Sequence, residues 1–340
     1  MAATPSIGLD IGTMSIRAAE TGRGKEGPVI TNFAQIPLPR GAVEGGLVID
    51  HKTVAAALKQ LWAHAKFRTK HVVLGITNPQ IVVREMSVSN LPRRELRRSL
   101  PFQVRDALPL PVDKSLLDFF PLEDPGTAET VRGLLIAAPK EAVLSAVRAT
   151  EKSGLHVVHV DLASFALLRA ASRLDEKVEA LVDIGARSTS VVVHHDGNPL
   201  IVRTIPRGGA EITELIAGRL SIPEEQAEDA KCRIGLNELI DKATATAVKE
   251  AVRPLISEVH SSFNYLTSGE RHSRVARLAL SGGGSLLPGL IELMRSQLSV
   301  EVVLSDPVIR LRGLRRVKNL AVEPFRASAA VSIGLALGAA

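Results

Sequence analysis

Short runs of Val, Ile, Leu and Ala alternate with stretches whose apolar residues recur every three or four positions. The runs predict strands over 6–10, 15–20, 29–37, 71–76 and 80–86, the last two separated by the Asn78-Pro79 turn. Over 52–66, Val54, Leu58, Leu61 and Ala65 share one face, which predicts a helix. The texture then changes: residues 90–112 hold four prolines and five arginines. A helix over 93–108 would align Leu96, Leu100, Val104 and Leu108, with Pro101 breaking or kinking it. Strands over 118–122 and 131–138 and a helix over 139–152, with Gly154 past its end, follow. The pattern continues with a strand at 156–161 and a helix at 163–174. Strands at 179–183, 188–195 and 199–205 form a meander, turned at Asp196-Gly197. Helices are predicted at 210–220, 223–231 and 236–266, the last kinked by Pro254. A strand at 275–281 runs into Gly282-Gly283-Gly284, and elements at 291–298 and 301–304 precede a final apolar helix over 327–340.

Within this pattern lies a duplication. Ile7-Gly8-Leu9-Asp10-Ile11-Gly12-Thr13-Met14-Ser15 has an echo 173 residues later, in Leu181-Val182-Asp183-Ile184-Gly185-Ala186-Arg187-Ser188-Thr189. Each copy is a strand, then Asp-Ile-Gly, then small hydroxyl residues, then a second strand. One such tripeptide is a common accident; one per half, each in strand context, is not.

Composition narrows the reading. The chain has 340 residues, 45% apolar and 23% charged, enough to build a core and about two domains. Aromatics are only 3%, so the core must be aliphatic and base-stacking platforms for nucleic acid are disfavoured. A net charge of +6 is mild for this length. The lone Cys232 excludes an intramolecular disulfide or a cysteine metal cluster and fits a reducing compartment. The N-terminus lacks a secretory pattern, and the 14 residues of 327–340 fall short of the roughly 20 that a membrane span needs. These features place the expected location in the cytoplasm.

Two facing Gly-containing hairpin turns suit a polyphosphate. Glycine lets the backbone approach closely, and the hydroxyls of Thr13, Ser15, Ser188 and Thr189 can donate to phosphate oxygens. Asp10 and Asp183 repel phosphate and so require a cation between, which suggests Mg²⁺ held partly through water. The third loop, Ser281-Gly282-Gly283-Gly284 with Leu287 beyond, lacks both the P-loop ending and the dinucleotide pattern. Its glycines can lie against a planar ring or a phosphate, or simply make a tight turn. Glu228 and Lys231, three apart, share a helical face, by default as a surface ion pair. Arg93, Arg94, Arg97 and Arg98 form one basic cluster, and Arg310, Arg312, Arg315, Arg316 and Lys318 another. Each reads first as a solvated face and second as a contact for anionic lipid or an acidic partner.

These loops resemble the nucleotide site of the actin, Hsp70 and sugar-kinase superfamily. Within it the chain is similar to the PilM family of type IV pilus assembly proteins. Most of the resemblance lies in 181–231: Val182-Asp183-Ile184-Gly185, Arg203-Thr204-Ile205-Pro206-Arg207-Gly208-Gly209 and Ala227-Glu228-Asp229-Ala230-Lys231. Leu135-Ile136-Ala137-Ala138-Pro139-Lys140 and Ile333-Gly334-Leu335-Ala336-Leu337 extend it in order. The resemblance implies an α/β, actin-like (ribonuclease-H-like) fold of two lobes. The first lobe would take 1–83, 156–178 and 321–340, an inserted subdomain 84–155, and the second lobe 179–320 with a subdomain at about 214–274. It implies ATP with Mg²⁺, contacted by both hairpins, Gly208, Gly209 and the glycine loop, with Glu228 and Lys231 reaching the adenosine. Arg17 stands where the family usually has Lys.

The resemblance also implies a partner, the cytoplasmic N-terminal tail of a single-span PilN-like membrane protein, and through it other pilus inner-membrane and motor components. Membrane contact would be indirect, self-association is open, and nucleic acid is not expected. The tail groove is expected between the main lobe and the insertion, bordered by 80–85 and by Arg94, Arg98, Leu100 and Arg105. Turnover would be slow and act as a switch, with Asp161 the strand-end candidate to position water. A sugar-type kinase of the same superfamily and an FtsA-like cell-division filament protein are the alternatives.

Overall fold

The computed structural model describes residues 6–124, 126–268, 274–311 and 323–338. Arg312 to Lys318 of the second basic cluster lie outside the described residues, as do 321–322 of the final segment. The first sheet begins with an antiparallel meander, β1 (Ser6–Ile11), β2 (Ser15–Arg23) and β3 (Pro28–Pro37). A two-residue ribbon, β4 (Val43–Glu44) with β5 (Leu47–Val48), leads to helix α1 (His51–Ala65) and to β6 (His71–Ile76), which pairs parallel with β1. Asp50 caps α1 by accepting the N–H groups of Lys52 and Thr53.

The insertion comprises β7 (Val82–Ser89), α2 (Arg93–Gln103), β8 (Ser115–Pro121) and β9 (Thr130–Pro139), with strand order β7-β9-β8. Its small core joins Val88, Leu100, Val104, Val131 and Leu135. The chain then returns through α3 (Lys140–Lys152), β10 (His156–Leu162) and α4 (Ala163–Ala171). Helix α3 falls within the 84–155 segment expected to form the insertion. Its Val143, Ala146 and Ala149 instead pack with Leu58, Leu61, Val72 and Leu74 in the first-lobe core. The apolar face of α3 is needed to cover that sheet, so the small subdomain ends at β9.

The second lobe repeats the plan. Its strands are β11 (Val178–Ile184), β12 (Thr189–His195) and β13 (Asn198–Ile205). Helices α5 (Gly209–Leu220), α6 (Glu224–Arg233) and α7 (Lys242–Ser268) follow, then β14 (Arg277–Ser281), α8 (Leu290–Leu298) and β15 (Glu301–Leu304). The sheet orders are β10-β6-β1-β2-β3 and β15-β14-β11-β12-β13: in each lobe an antiparallel meander is extended by two parallel strands beside its first member. The duplicated sequence is therefore a duplicated topology. Helix α7 starts later than its periodicity predicts, because Leu236 N–H is held by Pro288 O and Asp241 caps Thr244 N–H. It runs on through Pro254.

The final apolar segment is two helices, α9 (Glu323–Ser328) and α10 (Ala330–Leu337). The break has a visible cause: Ala327 O accepts from Ser281 Oγ at 3.0 Å and from Gly282 N–H at 2.9 Å instead of continuing the helical ladder. Helices α4 and α10 form the joint between the lobes. On one side Ala163, Ala166, Val331 and Leu335 pack with Val73 of the first sheet; on the other, Leu167, Leu168 and Ala330 pack with Leu181, Val192 and Ala279 of the second. The contact is backbone-tight, for a Cβ on Gly334 would lie 1.8 Å from Ala166 O.

Candidate functional site

The two Asp-Ile-Gly turns line one cleft between the lobes, of about 500 Å³. The turn after β1 closes with Gly12 N–H donating to Ser15 O at 3.0 Å, and the turn after β11 with Gly185 N–H donating to Ser188 O at 2.9 Å. The same bond at the same place keeps both turns tight and leaves the intervening backbone free for a ligand. Asp10, Gly12, Thr13, Ser15 and Arg17 line the cleft from the first hairpin, and Asp183, Gly185 and Ser188 from the second. Gly282, Gly283, Gly284, Leu287, Gly209, Glu228 and Lys231 complete it.

Two expected contacts are not made. Thr189 is fully buried and its hydroxyl donates to Arg207 O at 2.9 Å, pinning β12 to the segment before α5. Gly208 does not line the cleft; a Cβ there would lie 2.4 Å from Gly185 O, so its glycine lets the second hairpin and the start of α5 touch. The glycine loop has a similar basis. Gly282 has φ 79, and a Cβ on Gly282 or Gly284 would strike Ile184. The loop thus lies directly on the second Asp-Ile-Gly motif.

The carboxylates differ in setting. Burial raises the Asp10 carboxyl, partly offset by Arg17, whose Nη1 is 3.4 Å from Oδ2. Asp183 is pushed up to about 6, first by burial and then by the charge of Asp10, against weaker opposition from Ser281 and Arg17. Two close carboxylates, one without a cation of its own, suit a divalent ion bridged by water to phosphate. Among the described residues no group of three potential ligands accompanies them, so phosphate and water would have to complete the coordination.

Glu228 and Lys231 are more than a surface pair. Lys231 Nζ donates to Gly209 O at 3.1 Å, Thr213 Oγ1 at 2.9 Å and Glu228 Oε2 at 2.6 Å. Burial would raise the Glu228 carboxyl, but hydrogen bonds from Lys231 and Thr213 pull it below its usual range. Helix α6 is thereby tied to the first turn of α5. Sequence reasoning missed Met14, Arg40, Gly46, Cys232 and Val331, which also line the cleft. Arg40 forms an ion pair with Glu224 at the start of α6, joining the lobes. No spacing pattern announces that pair, because its members lie on different lobes.

Asp161 is not in the cleft. It is in register with Gly75, which is in register with Asp10, so one whole strand, β6, lies between the carboxylates. Its side chain accepts from Arg169 and from Leu162 N–H, and it lines a second cavity of about 900 Å³. The water-positioning role expected of Asp161 has no support from that setting.

The second cavity lies between the insertion and the lobes. Its apolar surface comes from Leu91 and Leu96, from β8 with Leu116 and Phe120, and from Val160, Phe165 and Leu168. The β12–β13 turn contributes Gly197 to Pro199. The rings of Phe120 and Phe165 meet at 6.3 Å, joining insertion to lobe. The residues expected to border a groove beside the insertion lie apart from this cavity. Leu100 is 1% exposed in the insertion core, and neither it nor Arg94, Arg98, Arg105 or residues 80–85 line this cavity. Of the leucine stripe that sequence alone also allowed as a wall, Leu100 is buried in the insertion core while Leu96 lines the cavity.

Duplicated sheets of this order, joined by two packed helices over a cleft with paired Asp-Ile-Gly turns, define an actin-like protein. Similar folds are MreB5 of Spiroplasma citri bound to AMPPNP (TM-score 0.55, 13% identity, 99% of this chain and 96% of that one) and the ethanolamine utilization protein EutJ of Carboxydothermus hydrogenoformans (TM-score 0.58, 18% identity, 99% and 90%). The family model for the type IV pilus assembly protein PilM matches residues 8–340, and the chain belongs to that family. A solved PilM-PilN type IV pilus biogenesis complex aligns over 98% of both chains with TM-score 0.87 and 27% identity. The cell division protein FtsA of Bacillus subtilis is 23% identical over 88% of this chain and 78% of its own length.

Proposed function

We propose that this protein binds ATP with Mg²⁺ in the interlobe cleft and uses the bound state to set the shape of a groove for the tail of a PilN-like partner. The observation that carries the reading is the pair of identically closed Asp-Ile-Gly turns lining one cleft. Their N–H groups and the hydroxyls of Thr13, Ser15 and Ser188 would hold phosphate oxygens. Asp10 and Asp183 would hold Mg²⁺ through water, which would screen the phosphate charge. Glu228, Lys231 and the glycine loop would take the adenosine.

The second cavity is the proposed tail groove: long, largely apolar, and bordered by β8 and β10, edge strands of their sheets. An extended peptide can place alternate side chains there. The two sites share the α4–α10 joint. Val331 of α10 lines the cleft, Phe165, Leu168 and Arg169 of α4 line the groove, and Arg169 Nε donates to Gly334 O at 3.0 Å. Closing the lobes on nucleotide would therefore shift the groove wall, and a ligand with different affinity for open and closed forms shifts their populations. With Asp161 paired to Arg169 away from the cleft, slow turnover fits better than kinase chemistry.

Among the described residues no helix is long and apolar enough to cross a membrane. Recruitment to the membrane would come through the partner. Calorimetric titration of Mg-ATP tests the reading. Binding that is lost in Asp10→Ala and Asp183→Ala, with the fold retained, supports it; no binding by the wild type overturns the cleft assignment.

A further inference from the structure

Helix α2 carries a second face that the groove does not use. Leu96, Leu100 and Val104 form the stripe that faces the insertion core. Arg94, Arg98 and Phe102 form a parallel stripe two residues away, about 200° around the helix and so on the opposite side. Arg93, Arg94, Arg97 and Arg98 are exposed, and Phe102 is 75% exposed. Several exposed arginines elsewhere are paired, Arg148 with Glu141, Arg203 with Glu258, Arg219 with Glu250 and Arg233 with Asp229. Others without a carboxylate partner among the described residues, such as Arg23 and Arg253, are not clustered in sequence. Among the described residues, the four guanidiniums of α2 have no carboxylate partner, and Glu95 is the one acid in the helix.

Four close, unpaired cations repel one another, and that repulsion is relieved by an anionic surface. A protein partner would anchor Phe102 in a pocket and pair the arginines one by one. A bilayer asks for less: phosphates spread in a plane, and an aromatic ring that settles at the headgroup boundary. A convex, cationic helix face with one projecting ring matches the plane. Arg93 also lines the mouth of the second cavity, so this face adjoins the entrance that a membrane-borne tail would use.

We propose that the outer face of α2 is a direct membrane-contact surface for anionic phospholipid, with Arg94 and Arg98 on headgroup phosphates, Arg93 and Arg97 flanking them at its edge, and Phe102 in the acyl boundary. The contact needs neither nucleotide nor partner peptide, so it stands or falls apart from the function proposed above.

Co-sedimentation of the whole protein with vesicles tests it. The protein should bind phosphatidylcholine vesicles containing phosphatidylglycerol, should not bind phosphatidylcholine alone, and should release as salt is raised. Arg94→Glu with Arg98→Glu should lower the partition coefficient by at least about tenfold. Arg148→Glu with Arg233→Glu, which leaves the net charge change the same, should leave it near wild type. Melting curves show whether the α2 variant folds; if it does not, Arg94→Gln with Arg98→Gln takes its place. Phe102→Trp should show a blue-shifted emission only with the anionic vesicles. The proposal is overturned if wild type ignores anionic vesicles or if the α2 variants bind them as well as wild type. It is also overturned if the α2 variants lose a partner peptide while no form of the protein binds vesicles.

Discussion

The guanidinium of Arg17 stands 3.4 Å from Asp10, at the position directly across the hairpin, whereas the position across from Asp183 is Ser190. The duplication thus gives two equivalent carboxylates but one cation. Asp10 has local compensation; Asp183 is pushed up to about 6, first by burial and then by the charge of Asp10, with only weaker opposition from the Ser281 hydroxyl and Arg17.

Asp183→Asn should stabilise the ligand-free protein while abolishing Mg-ATP binding. A carboxyl raised from 3.8 to about 6 costs on the order of 1–3 kcal/mol when ionised in the fold. The folded state then binds more protons than the unfolded state between about pH 4 and 6. Stability from this group is present below its unfolded value and is lost as pH rises through 6. Thermal melts across this range should show that slope in the wild type and a flatter one in Asp183→Asn.

Mg-ATP affinity should fall as pH drops from 7 to 5, because Asp183 must shed its proton to hold a cation. Nucleotide titrations at several pH values check this. An unchanged affinity at pH 5 would remove Asp183 from the metal site.

Arg40 and Glu224 join the lobes beside the cleft. Arg40→Ala should speed nucleotide release by several-fold with little change in melting temperature, since a half-exposed ion pair contributes about 0–1 kcal/mol. Stopped-flow displacement of a fluorescent nucleotide measures it, and Glu224→Ala should behave alike.

Gly334→Ala should be among the most damaging small substitutions, because its methyl group would overlap Ala166 O. Overpacking of this kind typically costs about 1–3 kcal/mol. The melting temperature should fall, and nucleotide and tail binding should weaken together, since both sites share this joint.

Phe120→Ala and Phe165→Ala should each weaken binding of a PilN-like tail peptide by about tenfold or more, the scale of a lost aromatic anchor. Arg105→Ala should leave it near wild type, since Arg105 does not line the cavity. Fluorescence anisotropy with a labelled peptide separates the two.

The parallel pairings that complete each sheet were not legible in the chain, whereas the repeated Asp-Ile-Gly hairpins, the glycine loop and most of the strands and helices in their order were. They rest on local physics: alternation, helical spacing, and turns that need glycine. Residues on one hairpin or helix face are brought together by that element alone, so Asp10 with Arg17, and Glu228 with Lys231, could be grouped without tertiary information. Pairings across the lobes could not. Arg40 meets Glu224 and Phe120 meets Phe165 only after packing, and no spacing encodes those contacts. Leu100, Thr189 and Asp161 show the same limit from the other side. A leucine stripe suits a groove or a core, a hydroxyl suits a phosphate or a carbonyl, and a strand-end Asp suits a water or an arginine. Folding resolved each by burying Leu100, bonding Thr189 to Arg207 O and turning Asp161 toward Arg169, contacts that depend on how separate elements pack and that no local pattern encodes.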